Sequence, residues 1–308
     1  MKILLNLSRI LIALVFLFSG IVKLFDPAGM TLKLQAYLSV LGFVTEPGSV
    51  FVTTFAIILG TVETAVGMHL FWGARRKLTT TLLVMFMTVV TLITAYIYVA
   101  EPISDCGCFG DAVKLTNGQT FLKNLIMLPL SVWLLWKNEQ IVPFLKHSWT
   151  WMMSLLTHVA CLVTGFYAWY DLPIVDFTSY RVGTHIRNGI LSGEIPNFVL
   201  FDGEGNDMTD SILLASEKTP TVLVTLPFEK FADANVHDEL NDLYDECREK
   251  GWAIYGVSSE GEEEIEDWRD RTGAAYPFVY SDAETLEEMV RSNPGVVRIE
   301  GGRIVSKK

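Results

Sequence analysis

Cys106 and Cys108 stand one glycine apart in the stretch Ser104–Val113, SDCGCFGDAV, flanked by Asp105 and Asp111. Two thiols at that spacing can cycle between a dithiol and a disulfide. Gly107 has the backbone freedom that a tight turn between them needs. A disulfide between residues two apart closes a small ring and departs from relaxed geometry, which makes it easier to reduce and hence more oxidising. Two other readings fit the same residues: a pair of free thiols packed in a loop, or a structural disulfide that fixes it. Zinc does not fit, because there is no second cysteine pair and no nearby histidine at ligand spacing. Cys161 falls inside an apolar segment. Cys247 belongs to the stripe Val236, Leu240, Leu243, Cys247, whose helical spacing predicts buried core.

Glu63, in LGTVETAVG, is a carboxylate in the middle of an apolar segment, and Lys23, in FSGIVKLFDP, lies near the end of another. A charged group at such a depth is costly and is usually paired or functional. Lys23 is placed to reach Glu63; the alternative is a protonated Glu63, or one bonded to a hydroxyl such as that of Ser19, that holds helices together. His69 and His158 also fall within apolar segments and are expected as hydrogen-bonded interior or interfacial residues.

The elements that must position these groups divide the 308 residues into two unlike parts. Residues 1–170 carry 11 Lys and Arg against 7 Asp and Glu, and residues 171–308 carry 13 against 28. The acidic balance excludes nucleic acid as a partner, since nothing would neutralise a row of phosphates. Five apolar segments approach or reach the length of about 20 residues that a spanning helix needs. They are Ile3–Leu24, Phe51–Trp72, Leu78–Val99, Gln119–Trp136 and Trp149–Tyr170, the fourth interrupted by Lys123, Asn124 and Pro129. The first is too long for the apolar core of a signal peptide and is read as an uncleaved span. Arg75, Arg76 and Lys77 form a compact basic cluster between the second and third segments, and Lys137, Lys146, Lys2 and Arg9 fall on the same side. By the positive-inside rule the amino terminus is cytoplasmic. The Cys-Gly-Cys loop and the acidic part then lie outside, in the periplasm of a bacterium, where disulfides persist.

Residues 171–193 lack clear periodicity and read as a connector. Beyond them, NFVLFDGEGNDMTD has the form of a hairpin. TVLVTL, WAIYGVSS and PFVYSD are strands, alternating with helices at Ala232–Glu249, Glu262–Arg271 and Ala283–Arg291, before a hairpin that turns at Gly301–Gly302. This order predicts an α/β sheet with a mixed edge. Three helices are too few to cover both faces, so the connector, the outer loops of the membrane part, or a partner protein is expected over the bare patch.

Each part resembles a known family. VFLFSGIVKLFDP, the intramembrane Glu63 followed by Gly67, and DCGCFGD resemble the DoxX-like family, in the branch that includes the methylamine-utilisation protein MauE. That resemblance covers about residues 1–140 and implies a four-helix membrane bundle associated with redox processes. A fifth helix, within 141–170, would tether the acidic soluble domain to the bundle. IPNFVLFDGEGN, YPFVYSD and SNPGVVRI resemble the thioredoxin fold in its TlpA/peroxiredoxin-like form over residues 194–308, and the resemblance places Pro294 at the family's cis-proline. The family's Cys-x-x-Cys should open the helix after TVLVT, where this sequence has LPFEKFADAN and no cysteine.

The sequence therefore reads as a multi-pass inner-membrane accessory protein of periplasmic thiol–disulfide chemistry or client maturation, acting through Cys106 and Cys108. Gly107, Asp105, Asp111, Glu63 and Lys23 would support the pair. The bilayer and a periplasmic client or partner protein are its expected partners. Electrons would pass toward a membrane quinone near Glu63, an extension no motif supports. The rival reading is a non-catalytic scaffold whose thioredoxin-like domain binds a partner.

Overall fold

The structure, a computed structural model, describes residues 2–308 apart from 41, 47–48, 102–106, 171, 196–197 and 229–231, and apart from the side chains of His147 and Ala234. It divides into two compact units, Met1–Val175 and Asp176–Lys308.

The first unit is helical: α1 (Lys2–Phe25), α2 (Pro27–Val40), α3 (Val50–Trp72), α4 (Arg76–Ala100), α5 (Asn117–Trp136) and α6 (His147–Tyr170). Four stretches, Lys2–Phe25, Val50–Trp72, Arg76–Ala100 and Ser148–Tyr170, are long and apolar enough to cross a membrane. The fourth expected span, Gln119–Trp136, falls on α5, a 20-residue helix with Pro129 inside it that is not among those four. Its first turn is closed by a capping box between Thr116 and Gln119. Asn124 and Ser131 of α5 are buried, whereas its Leu122, Leu125, Ile126 and Val132 are exposed. An apolar exterior around a polar interior is the arrangement lipid demands, since polar groups in hydrocarbon have no water to bond.

α2 is a helix the apolar pattern did not predict. Its signal is local: Asp26 Oδ1 accepts from the Gly29 N–H at 2.8 Å. Pro27 stands in the first turn, where its missing N–H is not needed. α1 and α3 pack closely at Gly20, where a Cβ would stand 2.3 Å from Thr64 Oγ1 and 2.7 Å from the Gly60 carbonyl. Only a residue without a side chain permits that approach. At one end of the bundle Arg9 is fully buried, donating to the Val142 carbonyl at 2.7 Å with its guanidinium 4.8 Å from the centre of the Phe144 ring.

The second unit holds a five-stranded sheet in the order β3-β2-β1-β4-β5. The strands are β1 (Thr221–Leu226), β2 (Ala253–Ser258), β3 (Phe278–Tyr280), β4 (Gly295–Glu300) and β5 (Arg303–Lys307). β1, β2 and β3 are parallel, while β4 and β5 run antiparallel, which is the mixed edge expected. The crossovers are α9 (His237–Lys250), α10 (Glu262–Thr272) and α11 (Ala283–Met289). Val222, Val224 and Leu226 of β1 share a core with Leu240 and Cys247 of α9 and Trp268 of α10. Leu223, pointing to the opposite face by strand alternation, pairs with Val297 and is also fully buried.

Two short helices, α7 (Ile186–Ser192) and α8 (Thr209–Ser216), complete this unit. The hairpin expected at NFVLFDGEGNDMTD is reduced to single bridges, because Phe201 exchanges both backbone hydrogen bonds with Tyr280 at the β3 edge. Asp202 Oδ1 turns the chain by accepting from Glu204 and Asn206, and the remainder becomes α8. Residues 176–193, read as connector, belong to this unit. Gly183 donates to the Ile304 carbonyl, Ile304 to that of Thr184, and Ile186 to that of Gly302. Tyr180 and Ile186 are buried as a result, Tyr180 against Phe198 with ring centres 6.0 Å apart. This segment, expected as cover for the bare patch, is thus part of the unit's own packing. Burial and the nearby Glu288 and Asp282 push the Tyr180 phenol above its ordinary range. At the segment's start, burial opposes ionisation of Asp176, but Lys307, donating to it at 2.6 Å, and Thr178 hold its carboxyl below the usual value. Glu287 of α11 is half-buried, and burial pushes its carboxyl up to about 7.

Candidate functional site

The two intramembrane charges meet. Lys23 of α1 donates to Glu63 of α3, with Nζ 2.7 Å from Oε2 and 2.9 Å from Oε1, and both side chains are buried. Ser19, one turn before Lys23 on the same face of α1, donates to Glu63 Oε2 at 2.8 Å and accepts from Lys23 at 2.8 Å. The spacing of four residues stacks Ser19 and Lys23 along one side of the helix, and the close approach of α1 and α3 near Gly20 brings that side onto Glu63. Both of Glu63's expected partners are therefore engaged at once.

This cluster holds the cysteine loop. The Cys108 carbonyl accepts from Lys23 Nζ at 2.9 Å and stands 2.6 Å from Ser19 Oγ, whose single proton it shares with Glu63 Oε2. Gly107 is buried in the left-handed region, with φ +61, and a Cβ there would meet the Lys33 side chain at 3.0 Å. The Gly110 N–H closes the turn on the Gly107 carbonyl at 3.0 Å. Asp111 faces Lys33 of α2 at 3.6 Å. Phe109 packs against Phe18 with its ring tilted at 60° and centres 5.4 Å apart, under the ammonium of Lys123, 4.3 Å from its ring. Cys106 and Asp105 lie outside the described residues, and so does the expected pairing of Cys106 with Cys108.

Lys33, Phe109, Lys123 and Asn124 were not among the residues singled out as functional. Their roles depend on α2 and α5 packing beside the loop, and no spacing along the chain announces that. Asn124 donates to Thr94 Oγ1 of α4 at 3.1 Å, both buried. Lys123 and Asn124, the residues that weakened the apolar reading of α5, are thus turned onto partners.

Beside the loop is a cavity of about 560 Å³, walled by α1–α5. Its polar points are Ser19, Lys23 and Glu63, Cys108, Thr94, Asn124 and Lys123, with the hydroxyls of Tyr37 and Tyr96. The rest is apolar side chain, and part of the wall, Phe55, Leu92 and Ile93, is also exposed on the outer surface of the unit. The interior histidines lie elsewhere. His69 Nδ1 donates to the Ala65 carbonyl at 2.6 Å, its Nε2 is 3.0 Å from Ser154 Oγ, and His158 bonds the Ser154 carbonyl.

In the second unit the Asn293–Pro294 bond is cis. Asn293 donates from its amide to the Phe228 carbonyl at 2.8 Å and accepts on its own carbonyl from the Asp233 N–H at 3.0 Å. The proline loop therefore abuts the stretch after β1 where a thioredoxin-like domain would carry its thiols. That stretch has none in the sequence. Cys247 is fully buried in α9, where burial raises its thiol above the ordinary value.

Comparison with known proteins gives a match for each unit. Residues 1–137 match the family described as methylamine utilisation protein MauE, and residues 191–292 match the AhpC/TSA family. No curated protein matches the chain. A solution structure of a proposed protein disulfide isomerase from Bacteroides thetaiotaomicron is similar over 42% of this chain and 78% of its own, at 18% identity and a TM-score of 0.30.

Proposed function

As a MauE domain fused to an AhpC/TSA thioredoxin-like domain, the chain is a redox-associated membrane protein, and we propose that it exchanges disulfides through Cys106 and Cys108 at the outer face of a bacterial inner membrane. One observation carries this reading: a buried ion pair and hydroxyl are committed to the backbone of Cys108 at the wall of a cavity. Thiol–disulfide exchange needs a thiolate brought to a client sulfur in a fixed orientation, and a loop tied at Cys108 meets that need. One thiolate attacks a client disulfide to form a mixed disulfide, and the second thiol displaces the client thiolate. The reverse sequence oxidises a client dithiol. The client would be a periplasmic protein in maturation.

The orientation behind this proposal counts α5 as a spanning helix together with α1, α3, α4 and α6. Its inward Asn124 and outward leucines support that count. Five spans put the amino terminus with the Arg75–Lys77 cluster in the cytoplasm and the second unit in the periplasm.

Trapping of Cys106 and Cys108 with a mass-tagged alkylating reagent, in intact cells and a Cys161→Ser/Cys247→Ser background, tests the exchange. The expected result is an oxidised fraction that grows with added oxidant and shrinks with reductant. Thiols that stay reduced under both, or full client maturation with Cys106→Ser/Cys108→Ser, would refute it. The absence of cysteine after β1 favours the second reading, a scaffold whose thioredoxin-like domain binds without chemistry.

A further inference from the structure

We infer that the cavity beside Cys108 is a binding site for a lipophilic quinone, with the quinone ring against Asn124 and residues 107–109 and its tail leaving between α3 and α4. The inference rests on the disulfide-exchange reading and supplies what that reading leaves open. A dithiol that becomes a disulfide releases two electrons and two protons. A quinone takes up both to become a quinol, so the S–S bond forms as two O–H bonds form and nothing is left over. An acceptor that works inside a membrane unit must itself dissolve in lipid.

The cavity has the corresponding chemistry. Its volume of about 560 Å³ falls in the range of roughly 300–1,000 Å³ typical of small-molecule sites. Water-soluble acceptors are disfavoured by a wall that is apolar except at a few points. Those points suit a flat ring with carbonyl oxygens. The Asn124 amide has two N–H donors, and one of them goes to Thr94 Oγ1. Lys123 contributes an ammonium over Phe109, attractive to carbonyl oxygen. Cys108 lies on the same wall.

The outlet also favours a molecule delivered from the bilayer. Phe55 of α3 and Leu92 and Ile93 of α4 line the cavity and are 50%, 68% and 45% exposed on the exterior of the unit. An isoprenoid tail passing there would meet the apolar side chains of Phe55, Leu92 and Ile93 on its way into lipid. A phospholipid acyl chain would fit the apolar part equally well but has nothing to place against Asn124 and Lys123, so the competing occupant is distinguishable by its head.

The test uses the full chain in lipid nanodiscs with Cys106→Ser/Cys108→Ser, so that the probe is bound and not consumed, and titrates decylubiquinone by quenching of protein fluorescence. Saturable binding is expected, with n-decanol failing to compete. Ile93→Trp, which fills the outlet, and Asn124→Leu, which removes the amide donor, are each expected to weaken binding about 10-fold, the equivalent of one buried hydrogen bond. Absence of saturable binding, equal competition by n-decanol, or unchanged affinity in both variants overturns the site. The two proposals fail separately. If trapping shows Cys106 and Cys108 cycling while decylubiquinone does not bind, disulfide exchange stands and the acceptor is not a quinone. Binding with thiols that never cycle leaves the site standing and removes the exchange.

Discussion

Replacing Glu63 by Gln tests the central feature of the membrane unit. In the native cluster Lys23 Nζ has four oxygens within 2.9 Å: both carboxylate oxygens of Glu63, Ser19 Oγ and the Cys108 carbonyl. At the 2.7 Å separation of the pair, the Coulomb attraction is about 6 kcal/mol at an effective dielectric of 20. Desolvation of two ions offsets much of it. The single substitution does not recover that desolvation cost, because the ammonium remains 3% exposed and keeps only neutral acceptors. Removing one partner of such a pair costs about 3–5 kcal/mol. Replacing both, as in Lys23→Met/Glu63→Leu, is expected to change stability by only about 1 kcal/mol, because an apolar pair of similar volume needs no solvation.

The assay is reversible unfolding of the purified full chain in mixed micelles with increasing SDS, run on wild type, Glu63→Gln, Lys23→Met and the double variant. Each single variant should lose about 3 kcal/mol or more and the double should recover most of it, a coupling far above the additivity of distant sites. If both single variants unfold within about 1 kcal/mol of wild type, the cluster does not behave as a buried ion pair and the reasoning fails.

Two further expectations concern the second unit and its placement. Burial raises the Glu287 carboxyl from 4.5 to about 7, so between those values the folded chain keeps a proton that the unfolded chain has released, and stability falls as pH rises through that window. Glu287→Gln should therefore leave the melting of this unit, followed by Trp268 fluorescence, unchanged at pH 4 and stabilise it at pH 8 by up to about 3 kcal/mol, at about 1.4 kcal/mol per unit. A gain of equal size at both pH values would show that the carboxyl's ionisation is not its source. For orientation, Lys77→Cys and Glu204→Cys, both at exposed positions, should be labelled from opposite sides of the membrane by an impermeant maleimide. Labelling from one side would reverse the placement of the cysteine loop or of the second unit.

The apolar runs made α1, α3, α4, α5 and α6 legible, because a lipid-facing helix needs length and composition and little else. The sheet was legible for a related reason: TVLVTL is a central strand buried on both faces and WAIYGVSS a neighbouring strand buried over most of its length, and burial leaves continuous apolar runs. α2 was hidden because its start signal is a two-residue cue, Asp26-Pro27, with no apolar run behind it. The hairpin was over-read because alternation in NFVLF shows a strand's faces but not its neighbour. Phe201 bonds Tyr280 from another part of the chain, and loop chemistry at Asp202 takes the rest into α8. For the site, Glu63, Lys23 and Ser19 were visible as polar residues where polarity is costly. Lys33, Lys123 and Asn124 were not, since polarity near a helix end or in a weak span is ordinary until the partner is known.

Stability alone does not account for the Ser19–Lys23–Glu63 cluster. A buried ion pair is a poor means of fastening helices, and α1 and α3 are already in contact at Gly20 and Gly60. An apolar pair could not donate to the Cys108 carbonyl. That carbonyl takes a hydrogen bond from Lys23 and shares the Ser19 proton with Glu63, and Glu63 is the counter-charge that lets an ammonium remain beside it in a low-dielectric interior. The burial cost is then explained by the loop and not by the helices. Lys23→Met/Glu63→Leu separates the two roles, because it should keep the bundle's stability while releasing the Cys108 carbonyl from its ammonium donor. Faster alkylation of Cys108 in that variant, with stability within about 1 kcal/mol of wild type, is the outcome this account requires. An unchanged alkylation rate would mean that the loop holds itself.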